Sequence, residues 1–346
     1  MRYCGIDLGG LSSYVYITDE LGRKCKAELI ATTREGFKRA LEPSLRAGQL
    51  KIAIEAGNQT AWVYECLRQL GAEVVVVNPK QVKLIAESRK KTDKVDARIL
   101  CQLLRLDGLP HPVHMPGEEA RSLRGLLVAR RQLLAARTKL CNLVRGILRQ
   151  EGTRLQARAL GTKVGWERVL HAGFKQDHVL QIVASFFDSF LALTASAKQL
   201  DDELLAKVRQ SDQARRLQQM PCVGPIASLT FVAAVDDVRR FSSSRKLIGY
   251  TGLAPTVRQS SDRTEYGPMS REGRKELRAV WVQIAHLVAR DSKRATQPLR
   301  TWYNRVVKRR GRKTALVALA RKLLTIAYHL LKYEVDFDPR RLKRTA

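Results

Sequence analysis

The chain has 346 residues, a length that predicts two or three domains, and 45% of them are hydrophobic, enough to bury real cores and exclude a disordered tail. Lys and Arg number 63 against 33 Asp and Glu, a formal charge of +30 that points to a polyanionic partner, nucleic acid ahead of a membrane surface. No uninterrupted apolar run reaches the roughly 18 residues of a membrane span, and the first residues enter a strand pattern with no signal-peptide core, so the expected location is the bacterial cytoplasm, at the nucleoid.

Arg2 to Asp7 reads as a short apolar strand, Leu8-Gly9-Gly10 as a turn, and Ser13 to Thr18 as an alternating second strand. Asp7 is therefore expected at the lip of a strand. Arg23 to Ile30 supplies a third strand, and Thr33 to Leu45 has helical spacing, with Pro43 expected to break or bend its end. Lys51 to Glu55 is an apolar strand finishing on a carboxylate, which a buried strand seldom does for packing reasons. A helix from about Thr60 to Leu70 and a β-branched strand at Glu73 to Val77 follow, and Pro79 opens the next helix. Three antiparallel-looking strands and then strand-helix alternation predict a mixed α/β sheet in the order of an RNase H-like fold.

Thr92-Asp93-Lys94-Val95-Asp96-Ala97-Arg98 places two carboxylates three residues apart where a helical pattern begins, so Asp93 and Asp96 share a face and can serve one cation. Arg89, Lys90, Lys91, Lys94 and Arg98 around them make a surface salt-bridge helix the plain alternative. Asp7 and Glu55, each ending a strand upstream, favour a quartet of acids. His111 and His114 lie between prolines in a linker, Gly108 to Gly117, and carry no assigned chemistry. The six cysteines are scattered, without ligand spacing, and most of them lie inside apolar patterns and are expected to be small core residues.

From Glu118 to Gln150 a helical pattern carries an apolar stripe, and Arg121 to Gln150 holds eight Lys/Arg without an acid; Arg130, Arg131, Arg137, Lys139 and Arg145 are the candidate nucleic-acid contacts there. A second helix, about Gln176 to Arg209, predicts an antiparallel coiled hairpin within one chain or between protomers. Leu217 to Ala227 resembles a helix-hairpin-helix, in which Gly224 exposes backbone N-H groups to phosphate. Thr256 to Glu265 reads as a polar loop holding Ser260 and Ser261, where a serine is by default a turn or cap residue. An apolar helix spans Leu277 to Arg290, and a last one Thr314 to Tyr333. Lys293 to Lys322 holds eleven Lys/Arg and no acid, centred on Lys308, Arg309, Arg310, Gly311, Arg312 and Lys313. Trp302 and Tyr303 just ahead are read as core residues, with base stacking as the alternative. The expected division is 1–112 catalytic, 113–212 helical coiled coil and 213–346 a mainly α C-terminal domain.

Gly5-Ile6-Asp7, Glu55-Ala56-Gly57, Thr92 to Ala97, Met220 to Pro225, Gly252-Leu253-Ala254-Pro255 and Met269-Ser270-Arg271-Glu272-Gly273, in this order over nearly the whole chain, resemble the DEDD insertion-sequence transposases related to Piv-type invertases. The resemblance implies a RuvC-like, RNase H-fold domain in which Asp7, Glu55, Asp93 and Asp96 hold Mg²⁺, with Mn²⁺ as a substitute. It also implies that Ser260 is a nucleophile. The family writes that serine before a glycine; here Ser261 follows, which makes Ser261 the second choice. A noncoding guide RNA pairing with donor and target DNA is a further implication, while the long apolar-striped helices between the domains point to a homodimer or homotetramer.

The expected activity is therefore Mg-dependent strand cleavage and exchange through a phosphoserine. Two rivals stay open: a RuvC-like nuclease or junction resolvase using water, and a basic nucleic-acid-binding protein without catalysis.

Overall fold

A strand run of buried Cys4, Gly5 and Ile6 requires cover on both faces, and the first unit of the chain is built to supply it. A computed structural model describes residues 1–85, 92–156, 158–171, 174, 177–260, 263–270 and 272–340. It divides the chain into two compact units, Met1–Met115 and Pro116–Ala346.

In the first unit β1 (Arg2–Asp7), β2 (Ser12–Thr18) and β3 (Lys24–Ala31) form an antiparallel meander. α1 (Arg34–Arg46) follows, its N-cap Thr33 accepting from the Gly36 N-H at 3.0 Å. Pro43 lies inside α1, which continues to Arg46. The expected break is absent, because a proline in the last turn forfeits a single ladder bond. Then come β4 (Leu50–Glu55), α2 (Thr60–Gln69), β5 (Glu73–Val77), α3 (Pro79–Ile85) and α4 (Asp93–Arg105). The sheet order is β3-β2-β1-β4-β5, with β1-β4 and β4-β5 parallel. On one face Cys4, Ile6, Ile52 and Ile54 pack against Phe37 and Leu41 of α1 and Val63 and Leu67 of α2; on the other, Ala53 and Val77 meet Leu100 and Leu104 of α4. This five-stranded mixed sheet, followed by a helical remainder, fits the architecture expected of an RNase H-like domain.

The second unit begins with α5 (Glu118–Gln150), α6 (Lys163–His171) and α7 (Asp177–Gln210). Cys141, Val144 and Leu148 near the end of α5 pack with Val179 and Val183 near the start of α7, while Leu123 near the start of α5 meets Leu204 and Val208 near the end of α7. The two long helices are thus antiparallel. α8 (Asp212–Gln218) and α9 (Pro225–Val235) flank the Met220 to Gly224 segment, and Gly224 is the N-cap of α9 with Pro225 behind it. α10 (Ser244–Thr251) leads to β6 (Pro255–Ser260) and β7 (Arg263–Met269), an antiparallel pair where the sequence reading had a loop. The β-branched Thr256, Val257 and Thr264 outweigh the polarity of the segment. α11 (Lys275–Arg290) and α12 (Gln297–Lys332) close the unit around Trp281, Phe231, Leu319, Leu323 and Leu324. α12 begins before the basic cluster, earlier than expected, and bends at Gly311 (φ 76°, ψ 164°).

Among the described residues α7 and α12 are long and apolar enough by composition to cross a membrane, a test that core helices also pass; half of the α12 window is buried inside the protein, and α7 packs along α5.

Candidate active site and nucleic-acid surface

Asp7 is the last residue of β1 and Glu55 the last of β4, on adjacent parallel strands whose register runs Gly5↔Ala53 and Ile6↔Ile54. The next step of that register sets Asp7 beside Glu55 on the same face as Gly5 and Ala53. That face is the one α4 covers. A Cβ on Gly5 would stand 2.1 Å from the Ala97 carbonyl oxygen and 2.5 Å from the Cys101 N, so only glycine lets the helix come this close. The Cys101 Sγ lies 3.2 Å from the Tyr3 carbonyl oxygen. As α4 advances from Ala97 to Cys101 it therefore passes from Gly5 back towards Tyr3, antiparallel to β1, and its first turn lies towards Asp7. Thr92 caps that turn, its Oγ1 accepting from the Val95 N-H at 3.4 Å, and Asp93 and Asp96 occupy it.

The backbone thus sets Asp7 and Glu55 side by side at the carboxyl end of the parallel strands, where open α/β sheets present their ligand sites, and directs the first turn of α4 towards that end. Asp7, Glu55 and Asp96 are half-buried and Asp93 is exposed. Four carboxylates are oxygen donors suited to a hard divalent cation and offer nothing to a soft one. Their side chains do not close into a cage: among the described residues, no three Asp, Glu, His or Cys groups are disposed to hold a metal ion. Of the cations flanking this helix, Arg89, Lys90 and Lys91 lie outside the described residues.

Ser260 ends β6 and pairs with Arg263 of β7; Ser261 and Arg271 lie outside the described residues. The base of this hairpin is anchored by two motif residues, Ser270 and Ala254, and by four that the sequence did not single out, Tyr250, Arg274, Arg124 and Arg240. The Ser270 N-H donates to the Ala254 carbonyl at 2.9 Å, and the Arg274 N-H to the Tyr250 carbonyl at 3.1 Å. Arg274 Nε donates to the Tyr250 hydroxyl, which donates to the Ala234 carbonyl, both at 3.0 Å. Arg124 of α5 donates to the Ala233 and Ala234 carbonyls at 2.6 and 3.1 Å, and Arg240 Nε to the Val235 carbonyl at 3.0 Å, so two guanidinium groups cap the end of α9. Burial, and after it the nearby Arg274, holds the Arg124 guanidinium below its ordinary range. These partners are far apart in sequence, and no local spacing announces them.

The basic candidates sort into two groups. On α5, Arg130 is half-buried in an ion pair with Asp201 of α7, Arg131 Nη1 stands 3.4 Å from Glu276 Oε1, and the Arg137 guanidinium lies 5.8 Å from the centre of the Phe190 ring. Arg145 Nη1 donates to Asn142 Oδ1 at 3.1 Å, and Lys139 is exposed. Arg130 and Arg137 thus serve the helix pair itself. On α12, Lys308, Arg309, Arg310, Arg312 and Lys313 are all exposed around the bend at Gly311, a cationic surface suited to phosphates.

A DEDD transposase family model of the IS110 group matches residues 4–152, and a model described as transposase, IS116/IS110/IS902 family, matches residues 214–301. The chain is 27% identical over 319 residues to a probable family 20 transposase of Pseudomonas aeruginosa, covering 91% of this chain and 92% of the relative. It is 26% identical over 336 residues to the transposase for insertion sequence element IS1111A of Coxiella burnetii, covering 95% of this chain and 86% of the relative. The first match spans all four acids and the second spans the serine hairpin. With both matches in sequence order and the relatives aligned over almost their full length, this chain belongs to the IS116/IS110/IS902 family of transposases.

Proposed function

We propose that this transposase cuts and rejoins DNA through a covalent phosphoserine, with Ser260 as the nucleophile and Asp7, Glu55, Asp93 and Asp96 as the acidic centre. The observation that supports the reading is the close packing of α4 on Gly5, with Asp93 and Asp96 in the first turn of that helix and Asp7 and Glu55 ending the strands beneath it. The four carboxylates are the oxygen donors that would hold Mg²⁺ or Mn²⁺, once their side chains turn inward from the open arrangement described above, and the bound ion would shield negative charge on the phosphoryl oxygens. The Ser260 oxygen bonds to phosphorus as the scissile P–O bond breaks. The proton of Ser260 is lost to a carboxylate or to water, and the departing strand end leaves as a hydroxyl once protonated. Because the phosphodiester is replaced by a phosphoserine ester, its energy is kept for rejoining and no nucleotide cofactor is consumed.

Ser261 takes the same role if the register differs by one. The hydrogen bonds of Tyr250 and Arg274 hold the base of the hairpin, a positioning role. The exposed cations of α12, with Lys139 and Arg145 of α5 and the Gly224 turn, hold donor and target DNA by their phosphates. The surplus of 30 positive charges also accommodates a noncoding guide RNA, and the long α5-α7 pair provides a surface for a homodimer or homotetramer.

The test is a denaturing gel of protein incubated with labelled substrate DNA and Mg²⁺. A protein-DNA band that is present in the unaltered chain and absent in Ser260→Ala is expected. Cleavage without any such band identifies water as the nucleophile and overturns the serine assignment, and no cleavage in any form removes the catalytic reading. Mixing Ser260→Ala with Asp7→Ala protein tests whether one site draws on two protomers; recovery of activity is the outcome expected of a shared site.

A further inference from the structure

Between α11 and the two limbs of α12 lies a cleft of about 840 Å³, within the roughly 300–1,000 Å³ range of small-ligand sites. The bend makes it concave. At φ 76° and ψ 164°, Gly311 holds a backbone conformation that side-chain-bearing residues avoid, and it turns the second limb of α12 so that Arg312 and Lys313 face the same cleft as Arg290 of α11. The lining divides by chemistry. Val307, Leu316 and Val317 make a half-buried apolar floor, Tyr303 is half-buried, and His286, Arg290, Arg312 and Lys313 are exposed. No carboxylate is among the described residues that line it.

A site for duplex backbone needs cations on an open surface, not an apolar floor within a cavity. An apolar floor beside a phenol and an imidazole fits the flat face of a base, and three cations without an acid fit the phosphate joined to it. A base in a closed duplex is stacked on its neighbours and cannot offer that face. We propose that this cleft receives one unpaired nucleotide of a nucleic-acid strand, its base against Tyr303 and His286 and its phosphate among Arg290, Arg312 and Lys313. DNA and RNA strands share this chemistry. The proposal rests on the assignment of the α12 basic segment to nucleic acid and is independent of Ser260.

The experiment uses the full chain and three fluorescent probes: thymidine and uridine homopolymers of about 12 nucleotides, matched to usual single-strand site sizes, and a DNA duplex of the same length. Anisotropy titrations are run for the unaltered protein, for Tyr303→Leu, and for the exposed-rim variants His286→Ala and Arg290→Gln. Tyr303→Leu is expected to weaken single-strand binding about tenfold, the scale of one lost base-aromatic stack, with duplex binding unchanged. Arg290→Gln is expected to lower the single-strand salt slope by about one contact. Photocrosslinking with 5-iodouracil in the strand is expected to mark Tyr303 or His286, and the better-bound homopolymer identifies the source of the nucleotide. Rim variants that bind single strands as the unaltered protein does, with crosslinks outside the cleft, overturn the proposal whether or not Tyr303→Leu folds. A parallel loss of duplex and single-strand affinity also overturns it. An unaltered protein that binds no nucleic acid instead overturns the assignment of the basic segment beneath it.

Discussion

Gly5 is the residue on which the acidic end of the sheet depends. The atoms that a Cβ there would meet, the Ala97 oxygen and the Cys101 nitrogen, are backbone and cannot swing aside. Gly5→Ala is therefore expected to cost about 1–3 kcal/mol as α4 is pushed off the sheet, and to lower strand cleavage with it. Asp7→Asn offers the contrast. Asp7 is half-buried and its replacement keeps the shape, so stability is expected to hold within about 1 kcal/mol while Mg²⁺-dependent cleavage is lost. Thermal melts beside a cleavage assay separate the two, and an Asp7→Asn protein that still cuts removes Asp7 from the acidic centre.

Among the elements, helices announced themselves well: α5 has the bounds that its apolar spacing predicts, and α7 lies within a residue of its expected span. The failures have physical causes. β6 and β7 read as loop because the polar residues of this hairpin lack the apolar alternation that marks a strand with one buried face. The first limb of α12 was missed because the glycine and its basic neighbours look like a boundary, whereas buried Leu299 and Val306 anchor a helix ahead of them. The bend itself has a measurable cost of replacement. A Cβ at Gly311 meets nothing within 4 Å, so the penalty of Gly311→Ala lies in the backbone conformation, and a loss of about 1–3 kcal/mol in thermal or denaturant melts is expected.

At the scale of the whole molecule, charge and composition told of nucleic acid, and the chain order of acids told of an RNase H-like sheet. That α4 returns antiparallel over β1 was not legible, since the contact joins residues more than ninety positions apart through a glycine that carries no pattern. Nor were the arginines around Tyr250, for the same reason. The exposed cations of α12 give the surplus charge a place to act. Replacing Lys308, Arg309, Arg310, Arg312 and Lys313 together by Gln is expected to reduce the slope of log K against log salt for duplex DNA by up to about 4.5, at about 0.9 per phosphate contact. An unchanged slope would place the DNA elsewhere.

The order in which the chain leaves the ribosome makes the α4-β1 contact late in the first unit. β1 is made first, yet the helix that covers Gly5 ends at Arg105, so the whole sheet must wait with one side bare until that stretch emerges. A product cut short before α4 lacks two of the four acids and the lid of its own core. On the proposed chemistry, an aborted translation yields a fragment for proteases to clear, and not a loose nuclease among the host's chromosomes.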